Sequence, residues 1–336
     1  MKSIQLPSLL EQFKGKKIAV LGDVGIDRYT QGMVERISPE APVPIVFVQS
    51  EYLKLGLAAN VADNIIALGG SAELTGVIGN DEDAQSLNEL LKEKKLSARS
   101  LVVDKSRRTI LKERIVAETH QMLRVDYEST HALGKDIQAK IQASILKIVA
   151  HSDAVIIEDY AKGLLNQSLI HATIQAAAKR KIPVLVDPHV KTPARWYAGA
   201  TLLTPNKREA EGLVGERITD EKSLIRVGRA IIQMTQAKSL VITLGRDGMA
   251  IFKDAKSAPT LIPTSAREVY DVSGAGDTVI SVLALSLASG TKLEEAAYLS
   301  NLAAGVEVSK RGTATVSPKE LMDAYRDSKL IYKSVD

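Results

Sequence analysis

The sequence contains no cysteine. That excludes disulfides, thiolate metal sites and a cysteine nucleophile, and it fits a reducing, cytoplasmic setting. Aromatic side chains make up only 4% of the 336 residues, and the basic residues are dispersed. No stacking platform or basic stripe results, so no nucleic-acid partner is expected despite a net charge of +4. A mild positive balance does suit anionic small substrates. No segment approaches the roughly 18 apolar residues of a membrane span, and Met1–Pro7 carries no apolar signal stretch, so no membrane partner is expected either. The pattern GxxxxGKS/T occurs nowhere, which removes P-loop phosphate binding. The histidines lack metal-ligand spacing, so no zinc site is expected. There is no low-complexity tract to suggest disorder.

What is present reads as a packed α/β chain. With 45% hydrophobic and 25% charged residues, a large core is expected. Strand-like runs at Lys17–Gly22, Ala72–Ile78, Ala154–Glu158, Val184–Asp187, Ala200–Thr204 and Leu240–Leu244 alternate with helical patterns. The helices are predicted at Ala58–Leu68, Asp83–Lys94, Lys135–Val149, Asn166–Lys179, Lys207–Leu213 and Glu221–Thr235. That rhythm predicts a mostly parallel sheet with helices on both faces. Two segments break it, Tyr29–Val48, rich in proline and β-branched residues, and Thr109–Tyr127, two alternating runs around a polar turn. Both are expected to form antiparallel strands of a small sheet over one end of the main one. No linker or composition shift divides the chain, so residues 1–336 are expected to be one domain, with lid strands from about 29–48 and 109–127 inserted.

The most informative stretch is Asp271-Val-Ser-Gly-Ala-Gly-Asp277, between a strand-like segment, Thr260–Tyr270, and an apolar run, Val279–Ala288, long enough for a buried helix. Gly274, Ala275 and Gly276 then form a loop opening into that helix, with backbone N–H groups and the positive end of the helix dipole turned towards one point. Asp277 falls in the first helical turn. A carboxylate beside an anion site repels what the site attracts, so it makes sense as a general base taking a proton from a hydroxyl that attacks a phosphoryl group. Alone, such an aspartate is commonly just a charge at a helix start. The polar ends of five strands strengthen the reading: Gly22-Asp23-Val24-Gly25-Ile26-Asp27, Asp159–Gly163, Asp187-Pro188, Thr204–Glu209 and Leu244–Gly248. Ligands of open α/β sheets bind beyond the carboxyl ends of their strands.

Taken together, these residues resemble the ribokinase-like, or PfkB, carbohydrate kinases. Asp271–Asp277 matches that family's C-terminal DxxGAGD signature, Leu55–Ala62 is similar to its N-terminal signature, and Asn206-Lys207-Arg208-Glu209 to its NxxE element. The resemblance runs from about Lys17 to Pro318. It narrows to the bacterial D-glycero-β-D-manno-heptose-7-phosphate kinases on Arg36–Pro44, Asp159–Gly163, Ala200–Asn206, Val269–Asp271 and Gly312–Pro318. The resemblance implies a ribokinase-like fold and phosphorylation by ATP of the sugar's 1-hydroxyl, for lipopolysaccharide core synthesis. Asp277 is then the base and Gly274, Ala275 and Gly276 the anion-binding loop. Asn206 and Glu209 hold Mg²⁺ through water. Thr243, Gly245 and Gly248 belong to the nucleotide loop, with Asn301 near adenine. Asp271 and Ser273 fall where many relatives bind a monovalent cation, K⁺.

On the acceptor side, the same resemblance gives Asp23, Asp27, Gly56 and Asn60 to the sugar. Arg36, Lys112, Arg114, Arg124 and Lys162 are its candidate phosphate cations, with Asp126 contacting the sugar from the lid. Two departures concern the acceptor: Leu57 stands where close relatives carry a second glycine, and His189 where a lysine often follows Pro188. Competing readings are a sibling kinase for ribose, fructose or a nucleoside, and a sugar-phosphate sensor without turnover. Against the sensor, Asp277, Asn206 and Glu209 are all present. Exposed lid edges predict pairing with the lid of a second copy, a homodimer. Nothing in the chain resembles the nucleotidyltransferase half that follows the kinase in bifunctional relatives.

Overall fold

A computed structural model describes residues 5–118, 120–266, 269–310, 312–328 and 333–334. In the first part of the chain lie α1 (Leu6–Phe13), β1 (Lys17–Gly22), β2 (Val24–Ile37), β3 (Pro44–Leu57), α2 (Ala58–Ala67), β4 (Ser71–Ile78), α3 (Glu82–Glu93) and β5 (Leu101–Val103). The middle holds β6 (Ile110–Ala117), β7 (His120–Tyr127), α4 (Lys135–Val149), β8 (Ala154–Glu158), α5 (Gln167–Arg180), β9 (Val184–Asp187) and β10 (Leu202–Leu203). Then follow α6 (Lys207–Val214), α7 (Glu221–Thr235), β11 (Ser239–Thr243), β12 (Met249–Phe252) and β13 (Thr260–Ile262). The last elements are α8 (Ala275–Ala288), α9 (Leu293–Glu307), α10 (Pro318–Asp327) and β14 (Lys333–Ser334).

Among the described residues these strands form a ten-stranded sheet, in the order β14-β13-β12-β11-β10-β9-β8-β1-β4-β5, and a four-stranded sheet, β3-β2-β6-β7. From β11 to β5 the large sheet is parallel; β12, β13 and β14 add antiparallel. Its central strands β1, β8, β9 and β11 are largely apolar because both faces are covered. Ile18, Val20, Ile156, Leu185 and Val241 point to a core shared with α1, α2, α3, α8, α9 and α10. The alternate residues Leu21, Val155, Ile157, Val186 and Ile242 pack against α4, α5, α6 and α7. Each fully buried side chain of this kind favours folding by about 1.5–3 kcal/mol, before chain entropy is counted. Close approach is built in at Gly228 of α7, where a β-carbon would lie 2.3 Å from the Phe252 ring. Gly228→Ala therefore has to push helix and strand apart. Helix α8 is buried almost all round because it lies between the sheet and its neighbours α2 and α9.

The ribokinase-like alternation expected from sequence is what forms, with differences at the edges. The run Ala200–Thr204 is a strand only over Leu202–Leu203, and Thr260–Tyr270 only over Thr260–Ile262. Pro205 and Pro263 follow directly, and neither has an N–H to give a ladder. Residues 267 and 268 of the second run lie outside the described residues. The lid strands are longer than expected: β2 and β3 have 14 residues each, bulged at Gln31/Gly32 and Val34/Arg36, and reach back to the main sheet. Their central pairing, β2 with β6, is parallel rather than antiparallel.

Candidate active site

Helices α2 and α8 bring the two signatures together through buried polar contacts. The Thr278 hydroxyl donates to Asn64 Oδ1 at 2.9 Å, and the Ser281 hydroxyl approaches the Val61 carbonyl at 3.2 Å. Small residues Ala58, Ala59 and Ala62, all fully buried, let the helices approach. This register puts Asn60 opposite Asp277, and Asn60 Nδ2 donates to Asp277 Oδ2 at 2.6 Å. The other carboxylate oxygen accepts from the Tyr160 hydroxyl at 3.1 Å. Asp277 is the third residue of α8, and Gly274 caps that helix at φ 99°, the left-handed region that favours glycine. Among the described residues the Gly276 N–H has no backbone acceptor, so it is available to an anion at the helix start. Burial pushes Asp277 up to about 6, against the lowering effect of its two donors. It is therefore ionised at neutral pH yet close enough to titration to accept a proton.

The carboxyl ends of the neighbouring strands add acids. Glu158 ends β8 and Asp187 ends β9, and the two are register neighbours. Asp187 Oδ2 lies 3.9 Å from where a Gly276 β-carbon would stand, and Asp187 Oδ1 accepts from the Thr204 hydroxyl at 3.3 Å. Both Glu158 oxygens are buried and make no hydrogen bond of good geometry among the described residues, though the nearby Tyr160 hydroxyl lowers the Glu158 pKa somewhat. Burial first, then repulsion from Asp187 and Asp277, raises Glu158 well above the usual carboxylate range; burial and Glu209 do the same to Asp187. Asn206 and Glu209 form a reciprocal capping box at the start of α6: the Glu209 N–H donates to Asn206 Oδ1 at 3.0 Å, and the Asn206 N–H to Glu209 Oε2 at 2.8 Å. Asn206 also bridges to Thr243 at the end of β11, which brings the NxxE element beside the expected nucleotide loop.

Hard oxygen donors of this kind suit Mg²⁺, which is held by few protein ligands and retains waters. Among the described residues no group of three or more His, Asp or Glu side chains could by itself hold a metal ion. A dication in front of these orphaned carboxylates would favour their ionised forms.

Gly245 and Gly248 shape the turn after β11 with φ 62° and 88°; a β-carbon at Gly248 would lie 1.9 Å from the Ile262 carbonyl oxygen. Asn301 is buried, and its Nδ2 donates to the Pro263 carbonyl at 2.8 Å, so its side-chain amide holds the strand behind that turn. Asp271 Oδ1 accepts from the Ser273 N–H at 2.9 Å, ordering the entry to the Gly274 loop. Glu307, fully buried at the end of α9, has both oxygens unpartnered among the described residues, and Oε1 lies 3.1 Å from a Gly274 β-carbon position. Burial pushes it up to about 8.

Across the cleft the lid carries its charges in register. Lys54, Asp27, Lys112 and Asp126 lie directly opposite one another across β3, β2, β6 and β7, and Tyr52, Tyr29, Arg114 and Arg124 form the next row on the same face. Arg114 Nη1 meets Asp27 Oδ1 at 2.6 Å with both side chains buried. Lys112 approaches Asp126 at 3.5 Å, Arg124 Nε donates to Asp126 Oδ1 at 2.8 Å, and Lys162 pairs with Glu128. Most of the cations expected to await a phosphate are thus already opposed by carboxylates. Arg36 lies nine residues beyond Asp27 on β2, roughly 30 Å at 3.3 Å per residue, and is exposed; the chain does not bring it to its own cleft. Tyr29 and Tyr52 stack at 4.9 Å, and Lys54 reaches past them to the Thr313 carbonyl, fastening the lid to the loop beside Gly274.

Asp23 is buried, accepts from the Lys162 N–H at 3.1 Å, and is pushed up to about 7 by burial. Gly56 packs on Asp27, its β-carbon position 3.3 Å from the carboxyl carbon. Leu57 holds φ 57° and ψ −138°, which explains why a glycine suits this position. The His189 side chain turns to its own loop, Nδ1 accepting from the Lys191 N–H. Sequence reasoning assigned no role to Glu158, Tyr160 or Glu307. Glu158 had a signal, an acid closing an otherwise apolar strand, and Tyr160 lay in a polar strand end; Glu307 had none.

A sequence profile of the pfkB family carbohydrate kinases matches residues 15–320. The chain is 42% identical over 323 residues to the bifunctional protein HldE of Pelobacter propionicus, covering 96% of this chain and 65% of that one. It is 44% identical over 315 residues to HldE of Haemophilus influenzae, covering 93% and 64%. It thus spans just under two thirds of the length of these relatives. Among solved structures, Arabidopsis thaliana ribokinase complexed with ribose and ATP superposes with a TM-score of 0.75 at 18% identity, covering 94% of this chain and 100% of that one. Escherichia coli phosphofructokinase-2 in complex with potassium gives 0.79 at 21%, covering 93% and 98%. At those identities the likeness shows the shared ribokinase-like fold.

Proposed function

The chain belongs to the pfkB family of carbohydrate kinases, and we propose that it transfers the γ-phosphoryl group of ATP to the anomeric 1-hydroxyl of D-glycero-β-D-manno-heptose 7-phosphate. The observation that carries the reading is the half-buried Asp277 carboxylate at the first turn of α8, held by Asn60 and Tyr160 and beside the Gly276 N–H, which has no backbone acceptor among the described residues. In the reaction Asp277 takes the proton of the sugar hydroxyl, the O1–phosphorus bond forms as the bond from phosphorus to the bridging oxygen breaks, and ADP leaves with that electron pair. The transition state is loose, so positioning and charge neutralisation supply most of the catalysis. The Gly274–Gly276 loop faces the transferring group with backbone dipoles. Asn206 and Glu209 would hold Mg²⁺ through water, and the ion would offset the phosphate charge. The turn at Thr243, Gly245 and Gly248 borders the nucleotide, with Asn301 bracing it. Asp271 and Ser273 border the place for K⁺.

Acceptor selection falls to Asp23, Asp27, Gly56 and Asn60, with the 7-phosphate drawing Lys112, Arg114, Arg124 and Lys162 from their carboxylate partners. The lid exposes several apolar side chains, Phe47 at 72% and also Met33, Val34, Met122 and Leu123, and these support a homodimer through the lid. In such a dimer Arg36 and the 37–44 turn would reach the partner's cleft. Residues 1–336 are read as one kinase domain working in the cytoplasm. The test is ATP consumption with Mg²⁺ across heptose 7-phosphate, the unphosphorylated heptose, ribose and fructose 6-phosphate, with Asp277→Asn alongside. Turnover confined to heptose 7-phosphate and lost in Asp277→Asn is expected; preferred turnover of another sugar would overturn the acceptor assignment.

A further inference from the structure

We propose that the Asp159–Gly163 turn after β8 is built to seat the Tyr160 hydroxyl on Asp277, which makes Tyr160 a positioning residue for the base; the inference rests on reading Asp277 as that base. The turn contains two left-handed residues in three, Ala161 at φ 55° and Gly163 at φ 94°. Ala161 has a side chain, so its conformation costs about 1–2 kcal/mol that Gly163 avoids. Such a conformation persists only where its surroundings over-determine it.

They do so here with two buried carboxylates. Asp159 Oδ1 accepts the Ala161 N–H at 2.8 Å, and Asp159 Oδ2 accepts the Tyr197 hydroxyl at 2.8 Å. Asp23 Oδ2 accepts the Lys162 N–H at 3.1 Å. On the far side Gly163 lies so close to the His131 carbonyl that a β-carbon would stand 2.3 Å from its oxygen. The turn is thus clamped on every side, and the phenol it carries ends 3.1 Å from Asp277 Oδ1.

The consequence lies in the geometry of the base. Asn60 from α2 donates to Asp277 Oδ2 and Tyr160 from the turn after β8 to Oδ1. One donor on each oxygen fixes the carboxylate's rotation and leaves lone pairs for the acceptor hydroxyl. Burial and the facing carboxylates push the Tyr160 phenol well above its usual range, so it stays a donor and does not compete for the sugar's proton. The charges facing Asp277 are Glu158 from β8, Asp187 from β9, Asp27 from β2 and Glu307 from α9. All are acidic; burial and the Asp27 charge disfavour its ionised form, while Asp277 in turn raises Glu158, Asp187 and Glu307. The Tyr160 and Asn60 donors oppose burial and Asp27.

The test is the pH dependence of kcat and KM in two variants. Tyr160→Phe removes one donor and keeps the ring, so the acid limb of kcat should move up by roughly one pH unit. Activity should then fall about tenfold below the limb and much less above it, with KM for both substrates nearly unchanged. Replacing Tyr160 by 3,5-difluorotyrosine, whose hydroxyl is a stronger donor in the same shape, should move the limb down; this variant also serves if the phenylalanine form fails to fold. A limb that stays in place in both folded variants, or one that moves the same way in both, overturns the inference. Asp277→Asn in the same assay separates the two claims. If it stays active, the reading of the base fails; if it is inactive while the limbs stay fixed, only the role of Tyr160 fails.

Discussion

The two walls of the cleft handle charge in opposite ways. On the sheet wall stand four carboxylates, Glu158 and Glu307 fully buried and Asp187 and Asp277 half-buried, and both Glu158 oxygens and both Glu307 oxygens make no hydrogen bond of good geometry among the described residues. On the lid wall, Asp27, Asp126 and Glu128 are each matched by arginine or lysine. Uncompensated buried charge is costly and raises pKa values, and a wall that keeps several such acids is suited to cations and to proton uptake. A wall whose charges are already paired is suited to exchange, because an incoming phosphate can take over cations that the carboxylates release. On the proposed reading the sheet wall carries the chemistry and the lid wall the choice of acceptor.

That comparison can be broken from either side. The largest effect is expected on the sheet wall: Asp277→Asn should lower kcat by about 10²–10⁴, the usual contribution of general base catalysis, without loss of fold by circular dichroism. On the lid wall, Arg114→Met leaves Asp27 buried and unpaired. Removing one partner of such a pair costs about 3–5 kcal/mol, to be read as faster hydrogen exchange across β2 and β6 and a raised KM for sugar, with kcat less affected. Phe47→Asp on the exposed lid face should shift a dimer to monomer in sedimentation at micromolar concentration; a wild-type protein that is already monomeric would contradict pairing through the lid.

Glu307 gives a pH signature. Its carboxyl is held near 8 in the folded chain and titrates near 4.5 when unfolded. Between those values the folded state binds the extra proton, so stability is greatest below about 4.5, falls as pH rises to about 8, and is level above. In Glu307→Gln the fall of melting temperature with rising pH should become shallower, because Asp23 and Asp277, raised in the same way, keep their share; an unchanged slope would place the carboxyl elsewhere. The smallest effect belongs to Leu57. Gly there removes roughly 1 kcal/mol or more of backbone strain and returns about 0.4–1 kcal/mol of freedom to the unfolded chain. A slight rise in melting temperature is expected for Leu57→Gly, and a clear fall would show that its side chain contributes more than its backbone costs.

Much of this was legible in the sequence, for physical reasons. The large sheet was readable because strands buried on both faces are continuous apolar runs, as Ala154–Glu158 shows. Asp277 and the Gly274 loop were readable because their pattern is local: three small residues and the helix they open. The Asn206–Glu209 spacing was equally local, and it proved to be a reciprocal cap as well. The bond from Asn60 to Asp277 spans 217 residues and depends on how α2 and α8 pack, which no local pattern encodes. Pairing of the lid cations was hidden for a similar reason. Lys112 meets Asp126 only because of the β6–β7 register, and composition alone made those cations look free. Tyr160 was visible as part of a polar strand end, but its aim comes from the clamped turn.

The central claim is that Asp277 activates the anomeric hydroxyl of a heptose 7-phosphate. Its most direct test is ³¹P NMR of the product formed from heptose 7-phosphate, ATP and Mg²⁺ by the wild-type chain. The account predicts a new anomeric phosphate signal coupled to H1 with the 7-phosphate retained, and none with Asp277→Asn. A phosphate on any other oxygen, or a product unchanged by that substitution, would contradict it.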